Sequence, residues 1–319
     1  MNLRLLPSWL AAGLSAALCA PAPLPAQSIV IPGTGQRVEE VGDDFEDPEW
    51  KIDLVLPKSS SNIDNDQRLP AAMSANQRLY ESTYRGVPDV VVRIPTPPGG
   101  LPGSTGALKL RTLHSGIPGR FSREIQQDDL LMNISHRMGG YIPAAWRPSF
   151  VVRVCMPPFD RWEKRSGSSF GVRADCEGTK WNDSVGRRLL VSRRLQPQTE
   201  SFWPGMFIQF NRQADGHEKD HAVILIRCDE KGRDIVGPKI ERPGWWTLGM
   251  SVSADGRVHY FASPGVNNLT IRDHIGSYTP YNMPVERLNT FFFNVVNMDD
   301  GRTWSTEWVI DDPMFYVIK

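Results

Sequence analysis

Residues 244–263, GWWTLGMSVSADGRVHYFAS, constrain the fold of this chain more than any other stretch. Trp246, Leu248, Met250 and Val252 take every second position, with Thr247, Gly249, Ser251 and Ser253 between them. That is the period-2 pattern of a strand with one face buried. Ala254-Asp255-Gly256 then turns the chain, because Asp supports a local side-chain turn and Gly tolerates positive φ. The aromatic and β-branched run 257–262 reads as the returning strand, so the stretch is a hairpin of an antiparallel all-β protein.

Further segments of strand type follow the same logic: 89–94, 107–112, 149–156, 169–176, 205–211, 221–228, 290–297 and 307–318. Segment 58–76 is polar and reads as a long surface loop, and 116–140 reads as irregular with one helical turn near 126–131. Even spacing of strands with no long helical pattern between them argues for a β-sandwich or jelly roll and against a parallel α/β sheet.

The first 26 residues carry Arg4, a short apolar run and small residues before Gln27, the pattern of a cleaved secretory leader. The domain reading is therefore a signal peptide at 1–26, a flexible lead-in at 27–42 and one β-sandwich at 43–319, exported to the periplasm or the cell exterior. Cys19 has Leu18 before it, where a lipoprotein site wants a small residue, and the apolar run is too short to span a bilayer. About 290 residues remain, large for one domain but within the range of all-β sandwiches. With 36 basic and 36 acidic residues the formal charge is zero, which calls for neither a nucleic-acid partner nor membrane insertion, and the chain reads as a monomer. Beyond Cys19 stand Cys155, Cys176 and Cys228, an odd number. In an oxidising compartment a Cys155–Cys176 bridge is preferred to Cys155–Cys228, leaving one thiol.

An opening DDFEDPEW (43–50), a closing WVIDDPMFYVI (308–318) and the central hairpin together resemble the concanavalin A-like lectin/glucanase superfamily in its secreted bacterial forms, over roughly residues 41–319. The resemblance implies an antiparallel jelly-roll sandwich whose first and last strands lie side by side. Galactose-binding-like jelly rolls share those end strands and stay open as an alternative. In such sandwiches acidic residues of the end strands often hold a structural Ca²⁺, which implies Asp44, Glu46 and Asp311 as ligands.

The laminarinase-type hydrolases of that superfamily place E-x-D-x-x-E on one strand, so that alternate carboxylates share a groove. This chain has no such spacing. Strand alternation instead turns Arg153, Arg173, Asp175, Gln209, Asn211 and Arg227 away from the core, beside His259 on the hairpin. Placed on one curved sheet, these residues would form a guanidinium-rich floor suited to uronate or sulfate groups. Jelly-roll polysaccharide lyases are similar in using such a floor, though their signature motifs are absent here. Ten tryptophans supply further candidates. Trp162, Trp181, Trp203 and Trp245, with Tyr278 and Tyr281, stand beside loops where flat rings can stack on sugars. The sequence HEKDH (217–221) matches the two-histidine zinc pattern literally, but that pattern works only on a helix, and Gly216 and a strand-like run flank it. The function expected is non-catalytic binding of a polysaccharide or cell-surface glycan, with a lyase acting on an anionic glycan as the alternative.

Overall fold

The computed structural model describes residues 29–69, 71–182 and 196–319, without the side chains of 181, 182 and 196. The expected leader with Cys19, and the Trp181 ring, lie outside the described residues. Down the chain the strands are β1 (Gln36–Gly42), β2 (Ile52–Asp53), β3 (Met73–Ser74), β4 (Leu79–Glu81), β5 (Val90–Pro95), β6 (Gly106–Arg111), β7 (Gln126–Met132), β8 (Ile142–Pro143), β9 (Ser149–Met156) and β10 (Gly167–Asn182). They continue with β11 (Gln196–Phe202), β12 (Gly205–Asn211), β13 (His221–Arg227), β14 (Asp234–Ile240), β15 (Gly244–Val252), β16 (Val258–Pro264), β17 (His274–Tyr278), β18 (Arg287–Asn297) and β19 (Trp308–Val317).

These strands form two antiparallel sheets. Sheet A runs β17-β16-β15-β9-β19-β6-β5 with β1 added on β19, and sheet B runs β14-β13-β12-β10-β18-β7-β4-β3-β2 with β11 added on β10 and β8 on β18. Alternation decides which side chains fill the space between them. On β10, Phe170, Val172, Ala174 and Cys176 are buried inward while Arg173 and Asp175 point out of the sandwich. Phe150 of sheet A stacks on Phe291 of sheet B at 4.9 Å, and Phe170 of sheet B stacks on Trp308 of sheet A at 4.7 Å. Each such aromatic pair adds about 1 kcal/mol beyond the area it buries. This is the jelly-roll sandwich that the concanavalin A-like resemblance implied.

The end strands do meet, but not where the lead-in was expected to stop. Residues 36–42, read as flexible, form β1 against β19, with Gln36 opposite Val317 and Gly42 opposite Met314. Val38 and Val41 of that strand are buried, which offsets the ordering of a polar segment. Gly42 has φ +86°, and a Cβ there would stand 2.0 Å from the Pro313 carbonyl oxygen. Gly42→Ala is therefore expected to lower stability by roughly 1–3 kcal/mol through strain and a broken end-strand register, read as a drop in the urea midpoint.

Three other expectations need correction. Residues 126–131 are not a helical turn but strand β7, paired with β18 through Leu131–Phe292 and Asp129–Asn294. Its inward row Asp128, Leu130, Met132 begins with a carboxylate that Lys58 neutralises inside the protein, which hides the alternation. The hairpin β15–β16 forms about the expected turn, with Trp246 opposite Pro264 and Val252 opposite Val258. Its polar face, however, is not solvated: Thr247 and Ser251 are buried, and Ser251 Oγ donates to the Val30 carbonyl at 2.6 Å. The segment before β1 and Leu269 lie over that face, with Ile29 and Ile31 packing on Val151 and Phe261. Finally, Cys155, Cys176 and Cys228 are all free. Cys155 sits on β9 in sheet A beside the outer cluster of Ala107, Trp245 and Val309, whereas Cys176 points into the core from sheet B, so no bridge can span them. Burial pushes the Cys155 thiol up to about 11.

Candidate functional site

One outer face of the sandwich is covered and the other is open. The outer face of sheet A lies under residues before β1 and the loop after β16, while the outer face of sheet B carries an open cleft of about 460 Å³. Its floor can be read from the registers. One row runs Arg227, Gly205, Arg173, Phe292, Leu131 and Tyr80 across β13, β12, β10, β18, β7 and β4. The next row runs Phe207, Gly171, Asn294 and Asp129. Gly205 is needed where it stands, because a Cβ there would lie 2.5 Å from Cγ of Arg173 and push that side chain off the floor.

The two guanidiniums share one ring. Arg173 lies 5.4 Å from the centroids of Phe207 and Phe292, and Arg227 lies 4.8 Å from Phe207. Cation–π contacts of this kind hold an arginine flat without neutralising it. Arg227 is neutralised by a fork to Asp234 at 3.0 and 3.3 Å, with the Tyr281 ring beside it in the same cleft. Arg173 is not. Its Nη2 donates to the Trp203 carbonyl at 3.0 Å, its buried Nε has no partner, and among the described residues it forms no ion pair. Burial, and then the neighbouring Arg227 charge, bring its guanidinium down to about 10.

Around this pair stand polar and aromatic walls. Asp175 accepts from Asn289 Nδ2 at 2.7 Å and from the Trp203 side chain, and burial raises its carboxyl above the ordinary range. Asp129 accepts from Asn294 at 2.5 Å and Gln127 at 2.9 Å, and burial raises it as well. Tyr80 is pushed up to about 12 by burial and by the charge of Asp175, so it keeps its proton at neutral pH. Tyr281 is held at the cleft by a left-handed backbone (φ 60°) and by its N–H bond to the Asp229 carbonyl at 2.9 Å. A glycosidase pair is excluded for Asp129 and Asp175. The register puts them four residues apart along the strands and two strands apart, roughly 16 Å, against about 5–10 Å for an acid and its partner.

Of the residues singled out from sequence, Arg173, Asp175, Arg227, Trp203 and Tyr281 come together here, Trp203 at the rim with 38% of its surface exposed. Gln209 shares their face beyond Phe207 but is tied to Asn211 at 3.0 Å and does not line the cleft. The others do not belong to it. Arg153 is in sheet A, covered by the loop after β16, donating to the Val266 carbonyl at 3.4 Å and to Asn268 at 3.2 Å. Trp162 is a core residue rather than a loop platform, 2% exposed, donating to the Pro157 carbonyl and packed on Phe210 and Trp308. Tyr278 sits on β17 against Tyr260. His259, also in sheet A, is buried and brought down to about 4 by burial and then by His274; Ser277 Oγ joins the two imidazoles at 2.6 and 2.7 Å. The HEKDH segment lacks the helix its zinc reading requires, since His221 opens β13 and its Nε2 meets Asn211. Tyr80, Arg85, Asn62 and Asp129 went unread because β4 and β7 sit in segments that look like loop.

The acidic corner formed by the end strands is engaged by protein donors. Glu46 accepts from the Thr105 N–H at 3.0 Å and from its hydroxyl, while Asp311 accepts from Ser104 at 3.0 Å and the Asp312 N–H at 2.9 Å. Asp44 is exposed and accepts from the Glu46 N–H at 3.2 Å. Among the described residues no three His, Cys, Asp or Glu side chains converge on a metal position. Burial and the Asp312 charge raise Asp311 to about 7, and burial does the same for Asp128. In these two groups the folded protein holds a proton that the unfolded chain has already lost. Stability therefore falls as pH rises from about 4 through about 7 and levels off above it. A melting temperature several degrees higher at pH 5 than at pH 8 is the expected result, and Asp311→Asn should flatten part of that slope.

Fold and site together describe a jelly-roll sandwich with an arginine-bearing cleft on one outer face. No protein-family model matches the sequence, and no curated protein matches it. Among solved structures, alginate lyase PA1167 from Pseudomonas aeruginosa superposes with a TM-score of 0.38 at 8% identity, over 66% of this chain and 82% of that one. The marine alginate lyase AlyA1 from Zobellia galactanivorans superposes with a TM-score of 0.36 at 11% identity, over 84% and 94%. Alginate lyase AlyC3 gives 0.36 at 9% identity, over 67% and 75%. Likenesses this distant carry no assignment of activity, which has to come from the cleft itself. No helix among the described residues is long and apolar enough to cross a membrane.

Proposed function

We propose that this protein is exported and binds an acidic polysaccharide, seating a sugar carboxylate in the sheet B cleft against Arg173. The observation that carries this reading is a buried guanidinium, held flat by two rings and without an ion-pair partner among the described residues, at the floor of an open cleft. A buried cation without a counter-charge is costly, and a ligand carboxylate that accepts its free N–H groups relieves the cost. The exposed indole of Trp203 at the rim offers a face for the sugar ring. The test is retention of the mature protein on immobilised polyuronates against neutral glucans and galactans. Retention on the acidic polymers alone is expected, and no retention on any acidic glycan would sink the proposal.

A second reading, a lyase acting on the same polymer, is favoured by Tyr281 standing beside the Arg227 guanidinium in the same cleft. With the uronate carboxylate neutralised by Arg173, the proton on the adjacent ring carbon becomes removable by a tyrosine oxygen. The freed electron pair forms the ring double bond, the glycosidic C–O bond breaks, and the leaving oxygen takes up the proton that the tyrosine oxygen has accepted. Ultraviolet absorbance of unsaturated products tests this directly. Tyr281→Phe should abolish the absorbance while leaving retention in place, and a wild-type protein that binds without raising absorbance is a binding module.

A further inference from the structure

The cleft over Arg173 is one station of a longer trench. At its Tyr281 end it adjoins a hollow lined by Lys180, Asn282 and Glu286. At the opposite end Asn62, Arg85, Gln127 and Arg227 are shared with a second hollow of about 590 Å³ that reaches Ser168 and Val296. Ile63 and Gln126 carry that hollow onward to Arg120 and Phe121. Those two residues in turn border the pocket beside Pro57.

Beside Arg227, which Asp234 pairs, three more arginines stand along this path: Arg173, Arg85 and Arg120. Arg85 Nη1 donates to Gln126 Oε1 at 3.0 Å, and its other nitrogens lie 2.8 Å from the Asn62 amide, oriented to accept. Arg120 is exposed. Among the described residues none of the three forms an ion pair, although the protein pairs arginines elsewhere, as in Arg227–Asp234 and Arg287–Glu177. A site for one chain end needs one such station and a closed wall. This trench has several stations and continues past both ends of the central cleft.

We propose that the trench holds an interior segment of an acidic polysaccharide, several sugars long, with carboxylates at Arg173, Arg85 and Arg120 at once; this rests on the acidic-glycan reading above. Each contact after the first is made within an already bound chain and adds affinity at little further entropic cost. Octasaccharides of a polyuronate should therefore bind at least about tenfold more tightly than disaccharides, or about 1.4 kcal/mol. Arg120→Glu, an exposed substitution with no fold to lose, should remove most of that gain; Arg85→Ala, with its melting temperature checked, should weaken the octasaccharide as well, and the disaccharide too because Arg85 also lines the central cleft.

Titration calorimetry of uronate di-, tetra- and octasaccharides on the full chain separates the outcomes. If no acidic fragment of any length binds, the acidic-glycan reading itself fails. If disaccharide and octasaccharide bind alike, or Arg120→Glu leaves octasaccharide affinity unchanged, that reading stands and the trench inference falls. Single-stranded oligonucleotide bound as tightly as the octasaccharide would likewise overturn the glycan as occupant.

Discussion

Arg173→Ala is expected to weaken binding of a polyuronate by about 10- to 100-fold, the worth of one or two charge-assisted hydrogen bonds. Unfolding should change little. The side chain contributes packing on Phe207 and Phe292 and one bond to the Trp203 carbonyl, but it also carries a buried charge that has no ion-pair partner among the described residues. Losing the first costs stability and losing the second restores it. Arg173→Lys keeps the charge without the planar fork and should retain part of the affinity. Calorimetric titration with thermal melts of both variants checks this. Undiminished binding by the alanine variant would remove Arg173, and with it the cleft, from the account of function.

The second large effect is structural and lies away from the cleft. Lys58 Nζ is enclosed by the His114 carbonyl at 2.7 Å, Asp128 at 2.8 Å and Asp89 at 2.9 Å, so all three of its N–H groups are used. Burial works against its charge, but Asp128 and Asp89 outweigh this and raise its pKa. Lys58→Ala removes the counter-charge of the buried Asp128 and the half-buried Asp89 and frees one carbonyl, and should destabilise the protein by about 3–5 kcal/mol. The loss should be larger at pH 8 than at pH 5, because at the lower pH Asp128 can shed its charge by taking a proton. Adding Asp128→Asn should recover part of the loss at pH 8. Urea unfolding of the single and double variants at the two pH values measures all of this. A single variant with an unchanged midpoint would show that the lysine holds nothing together.

The cleft was partly legible before any coordinates. Arg173 and Arg227 follow from alternation on strands whose inward rows are unbroken apolar runs, and Trp203 from its place between two strands. Arg153 and His259 follow from the same alternation, yet they lie on the wrong sheet. Period-2 patterning says that a side chain leaves the core, but not which of two outer faces it leaves by, nor whether that face is later covered. Trp162 shows a related limit: a tryptophan among charged neighbours in FDRWEKRSG is fully packed because its loop folds back onto Phe210 and Trp308. β7 was unreadable because Asp128 breaks the apolar row, and only Lys58, distant in sequence, makes that carboxylate tolerable inside.

Local pattern by itself determined that this chain is an antiparallel sandwich and where its central hairpin turns, whereas the meeting of its two ends was implied only by the concanavalin A-like resemblance. Sandwich and hairpin depend on side-chain alternation and turn chemistry, which act within a few residues. Which sheet stays open, which arginine lacks a partner and which cysteines face apart were decided only by the packing of segments far apart in the chain. Burial, pairing and charge neutralisation depend on what arrives from elsewhere, and no stretch of sequence carries that information alone.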